Sequence, residues 1–143
     1  MARFFKPQPS AKQTKFQDPA MGESLKPDER PRPRGDTQTL LAVERTFRLI
    51  DENFQETLSN TPDDQDRHRI VSVRDAARDA YWKAVESHLG NDSVPVQRLR
   101  EELKTANQTL EASLADRANP AELLLNLTQA TKLATSLTAL AST

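Results

Sequence analysis

Leu40, Val43, Phe47, Ile50, Phe54 and Leu58 recur at steps of three or four, which puts them on one face of a helix with 3.6 residues per turn. The pattern predicts a first helix over about 37–59, with Asp36 or Thr37 able to cap its start. Ser59-Asn60-Thr61-Pro62 ends it and begins the next. There Thr61 is the expected cap, and Pro62 sits at the first helical position, where a missing N–H costs nothing. Asp63 and Asp64 follow at the positive end of the helix dipole. This second helix, about 62–89, has an inner face of Ile70, Val73, Ala77, Ala80 or Tyr81, Ala84 and His88, with Gly90-Asn91 as a left-handed stop. A third, about 95–117, shows Val96, Leu99, Leu103, Ala106, Leu110 and Leu114.

A fourth helix, about 120–140, opens with Asn119 as cap, Pro120 at the first position and Glu122 at the third. Its pattern is unlike the others. Between Leu123 and Thr143 the only ionisable side chain is Lys132, and leucine or alanine occupies every angular sector. Such a helix has to be covered on more than one side, so it is the expected centre of the fold and the expected oligomer contact, through Leu123, Leu127, Leu133, Leu137 and Leu140. The fold class that follows is all-α. An antiparallel four-helix bundle is the first form of it, and long hairpins completed by oligomerisation are the second, because heptad spacing also serves coiled coils.

Residues 1–35 break the pattern. They hold six of the nine prolines and two of the three glycines, with no hydrophobic period. Too little apolar surface is available there to form a core, and the expectation is an extended arm biased to polyproline II, on the order of 100 Å if stretched. The arm carries eight Lys/Arg against four Asp/Glu, +4; residues 36–143 carry twelve against seventeen, −5, and together these give the net −1. A basic arm therefore precedes an acidic helical domain. Phe4, Phe5 and Phe16 stand in it as separate apolar anchors, and Arg30, Arg32 and Arg34 form its densest positive cluster. These six are the candidate partner-binding residues.

Candidate chemistry adds little. Cysteine is absent and only His68 and His88 occur, so thiolate chemistry is out of reach. No Glu-x-x-His pair of the bundle metal-site kind can be written. Three glycines, at 22, 35 and 90, cannot build a phosphate-cradling loop. The expectation is a protein without catalytic residues, metal or cofactor. Arg67, Arg69, Arg74 and Arg78 suggest a nucleic-acid face until Asp66, Asp75 and Asp79 are seen between them; an ion-paired helix surface explains both sets. No membrane span is expected, since Asn126, Gln129 and Lys132 interrupt the best candidate. The N-terminus lacks the apolar run of a secretory signal, which leaves a virion or the cytoplasm as expected settings.

These features fit a non-enzymatic structural or assembly subunit. It would dock and oligomerise by its helices and lace its arm over neighbouring protein subunits, as minor capsid, cement or connector proteins of bacteriophage virions do. The alternatives are a nucleic-acid-associated protein using the basic arm, or a helical adaptor or chaperone.

Overall fold

The computed structural model describes residues 35–116 and 119–143, so the six candidate arm residues lie outside the described part. Among the described residues the structure is all-helical: α1 (Gly35–Glu52), α2 (Phe54–Ser59), α3 (Asp64–Glu86), α4 (Val94–Ala115) and α5 (Pro120–Ala141). The four expected helices are thus present, with the first divided.

The division falls at Asn53, whose side-chain Nδ2 donates to the Leu49 carbonyl at 2.8 Å. An asparagine amide that takes a backbone acceptor competes with the helix ladder and permits a local unwinding. Phe54 then turns into the core beneath the Arg74 guanidinium, which lies 4.1 Å from its ring centroid.

Two expected terminators need correction. Asp63, not Thr61, caps α3, its carboxylate accepting from the Asp66 N–H at 3.3 Å. Thr61 is buried and donates its hydroxyl to the Thr57 carbonyl at 2.7 Å, continuing the α2 side of the turn. Arg67 closes the same turn by donating to the carbonyls of Leu58 and Thr61. At its far end α3 stops at Ser87, which is extended, and Gly90 does not take the left-handed conformation. His88 is therefore exposed beyond the helix, and Leu89 turns into the core instead. At α5 the expected cap is observed: the Asn119 side chain accepts from the Glu122 N–H at 2.9 Å.

Leu89 also decides which helices meet. The segment 87–93 crosses the end of the core and buries Leu89 in one cluster with Val43, Val96 and Ala141, and the backbones of α3 and α4 are not neighbours although the helices are consecutive. Instead α1 packs on α3, α4 and α5, and α5 packs on α1, α3 and α4. Partners along α1 and α3 run in opposite directions, Phe47 with Tyr81 and Asp51 with Arg74. Along α1 and α4 they run in the same direction, Thr39 with Arg100 and Thr46 with Asn107. Consecutive α3 and α4 therefore run in opposite directions, as an antiparallel bundle requires, but the crossing segment carries α4 past α3 to lie beside α1 and α5.

The core falls into two clusters along the helices. One part holds Val43, Leu103, Ala134 and Leu137, and the other holds Ile50, Ala77, Leu110, Leu127 and Ala130. On α3 and α5 buried alanines stand beside Ile70, Leu127 and Leu137, while α4 supplies Leu103 and Leu110, both fully buried.

Candidate functional site

The largest organised group of polar side chains in the interior sits between α1 and α4. Thr46 donates its hydroxyl to Asn107 Oδ1 at 2.7 Å, and Asn107 Nδ2 donates to the Ala42 carbonyl at 3.1 Å. Seven residues before each, Arg100 Nη1 donates to Thr39 Oγ1 at 3.2 Å and to Asp92 Oδ1 at 2.9 Å. Thr39 and Thr46 are fully buried, and the Arg100 side chain is 8% exposed against 47% for Asp92. Both cross-helix pairs have the same sequence offset, 61. That equal offset is what a parallel pair in register requires, and a polar residue at a core position of such a seam fixes which layers can face one another. The arrangement holds helices; it presents no nucleophile beside a base.

The sequence reading missed this seam. Thr39 and Thr46, and Arg100 and Asn107, are each seven apart and each stand next to an apolar core position. The repeat of polar residues at heptad spacing was a usable signal, but it names no partner until the two helices are known to be adjacent.

The contact candidates of the expected fourth helix, all on α5, divide. Leu127 and Leu137 are buried within the chain, at 2% and 0% exposure, while Leu123, Leu133 and Leu140 are partly buried against the same core. The side of α5 left to solvent carries Leu125, Gln129, Lys132, Ser136 and Ala139. Its apolar character is thus mostly consumed by α1, α3 and α4.

Elsewhere the surface of α3 is ion-paired, as its alternating charges predict. Arg69 with Asp66, Arg78 with Asp75 and Lys83 with Asp79 meet at 3.2–3.3 Å along the helix, and Arg74 reaches Asp51 on α1 at 3.6 Å. Exposed pairs of this kind contribute little each. On α1, Arg48 is held above its ordinary pKa, first by the hydrogen bond from its Nε to Glu44 at 2.9 Å and then by that carboxylate's charge. His68 Nδ1 lies 3.0 Å from the Asp64 carbonyl at the exposed start of α3. Among the described residues there is no group of three or more His, Asp or Glu side chains placed to hold a metal ion, and no helix long and apolar enough to cross a membrane.

What the surface does offer is aromatic. Phe47 and Tyr81 stack with centroids 5.5 Å apart and planes 14° off parallel, and Trp82 follows 5.4 Å from Tyr81 at 57°. Trp82 remains 52% exposed. Comparison of the chain with protein-family models, with curated proteins and with solved structures finds no match.

Proposed function

We propose that the protein is a non-enzymatic structural or assembly subunit of a larger protein complex. Its helical part is a four-helix bundle formed by α1 with α2, α3, α4 and α5, and its N-terminal arm is the element that engages neighbouring subunits. Bacteriophage virion proteins of the minor capsid, cement or connector kind are the class whose design this most resembles in plan, by analogy of architecture alone.

The observation that supports the reading is the division of labour among side chains. The buried polar groups between α1 and α4 are engaged in holding helices, whereas large apolar side chains, Trp82, Val85 and Leu125 among them, are left outside. Exposed apolar residues together with a proline-rich basic segment suit contact with other proteins. Light scattering on the full chain tests the oligomeric part: a mass fixed at 16.1 kDa across all accessible concentrations rejects it.

The arm carries the second test. Removing residues 1–35 should leave helical content and melting nearly unchanged while abolishing assembly. Phe4→Ala, Phe5→Ala and Phe16→Ala together should do most of the same damage, at about 2 kcal/mol per lost aromatic anchor. The competing reading, a nucleic-acid-associated protein, makes Arg30, Arg32 and Arg34 the decisive residues and predicts DNA binding that falls steeply with salt.

A further inference from the structure

We propose that Tyr81 and Trp82 on α3 form a docking site for an extended proline- and arginine-rich peptide, supplied by residues 27–34 of a neighbouring copy of this chain. The inference rests on the assembly reading above and names the surface that the arm would use.

Three of the exposed large apolar residues of the described part, Val71, Trp82 and Val85, belong to α3. Val71 and Val85 are fourteen apart and Trp82 lies between them at helical spacing, so all three stand on one stripe of the helix. Tyr81 is fixed at the edge of that stripe by its stack on Phe47, and Trp82 is set at 57° to it. An angled pair of aromatic rings on a rigid helix is the surface on which proline rings pack, and a polyproline II segment brings them with little conformational entropy left to lose. A guanidinium is accepted on the same indole face.

The charges around the rings agree with that occupant. Asp75, Asp79 and Glu86 lie seven and three residues before Trp82 and four after it, and all three are exposed. Asp75 and Asp79 are held by Arg78 and Lys83 at 3.2 Å, in exposed pairs that an incoming guanidinium can exchange at small cost. Within Pro27-Asp-Glu-Arg-Pro-Arg-Pro-Arg34, residues 30–34 alternate the two required side chains, with Pro31 and Pro33 set between Arg30, Arg32 and Arg34. Eight residues of polyproline II would span roughly 25 Å, against about 17 Å of helix axis from Asp75 to Glu86. The length therefore covers the site.

Trp82 is the only tryptophan of the chain, so its fluorescence reports this surface alone. In the full-length protein, acrylamide quenching and emission wavelength are measured from submicromolar to high micromolar concentration, for the wild type and for Pro31→Ala/Pro33→Ala. The expected result is protection of Trp82 that grows with concentration and is lost in the arm variant. A fluorescein-labelled peptide of residues 27–34 should bind the full-length Trp82→Ala protein about tenfold more weakly than wild type, the loss of one aromatic anchor; circular dichroism checks that the variant is folded. Emission insensitive to both concentration and the arm substitutions overturns the proposal. Protection that is independent of concentration but lost in Pro31→Ala/Pro33→Ala overturns the neighbouring copy as occupant. A chain that assembles through its arm while Trp82 stays silent removes this site and leaves the assembly reading standing, whereas a chain that never assembles removes that reading itself.

Discussion

Two pairs of threonines in this protein are alike in sequence and opposite in circumstance. Thr39 and Thr46 on α1 are seven residues apart, as are Thr131 and Thr138 on α5, and all four are buried, at 0–5% exposure. On α1 both hydroxyls have partners on α4: Thr39 accepts from Arg100, and Thr46 donates to Asn107. On α5 neither Oγ1 has a hydrogen-bond partner among the described residues. The same residue at the same helical spacing is thus a connector in one seam and only a small spacer in the other. A hydroxyl contributes when its bond replaces the one it had to water, and costs when nothing does.

The difference can be broken most violently where neither pair is involved. Leu137 is fully buried beside Leu103 and Val43, so Leu137→Glu places an unpaired charge in the core and should leave the chain without a cooperative melting transition. Leu103→Ala, which removes only volume, should cost about 3 kcal/mol in denaturant unfolding. A Leu137→Glu chain that melts like the wild type would mean that α5 is not packed within its own chain.

Next in size is the α1–α4 seam. Asn107→Ala removes the 2.7 Å bond from Thr46 and the donor to the Ala42 carbonyl, leaving the buried Thr46 hydroxyl only its longer bond to that carbonyl at 3.2 Å, and should cost about 2 kcal/mol. Replacing both partners, Thr46→Val with Asn107→Leu, should recover much of that loss, because no polar group is then left unpaired. The recovered protein should be less uniquely packed, which near-ultraviolet dichroism and amide exchange of α1 would detect. Equal exchange protection in the double variant and the wild type would show that the polar pair does not set the register.

This contrast also explains what could be read in advance. The apolar period on α1 and α4 and the proline-led starts of α4 and α5 are local signals, and the helices they predict are observed within a few residues. Asn53 escaped notice because a single amide that takes the Leu49 carbonyl leaves the apolar period on both sides intact. The neighbour relations escaped for a different reason. Whether α4 lies beside α3 or α1 depends on Leu89 and the crossing of 87–93, a non-local choice that no helical period reports. The α5 leucines were read both as the centre of the fold and as an oligomer contact; Leu127 and Leu137 are buried within the chain, a division that nothing in their own spacing announces. The arm candidates, Phe4, Phe5, Phe16, Arg30, Arg32 and Arg34, remain a sequence proposal.

The smallest effect is the most diagnostic, because it requires one substitution to act with opposite signs. Thr→Val exchanges a hydroxyl for a methyl of nearly the same shape, so packing changes little and the hydrogen-bond account dominates. At Thr46 the change deprives Asn107 Oδ1 of its donor at 2.7 Å, and stability should fall by about 1 kcal/mol. At Thr138 no bond is lost, since its buried Oγ1 has none. There the desolvated hydroxyl of a buried side chain is replaced by a methyl, and stability should rise by about 1 kcal/mol. Thr131→Val should behave as Thr138→Val does, and because the two sites share no hydrogen-bond partner the pair should add to within about 0.5 kcal/mol. Urea midpoints at constant slope measure all three. If Thr138→Val destabilises as much as Thr46→Val, the Thr138 hydroxyl has a partner in solution, and the distinction between the two seams is one of geometry alone.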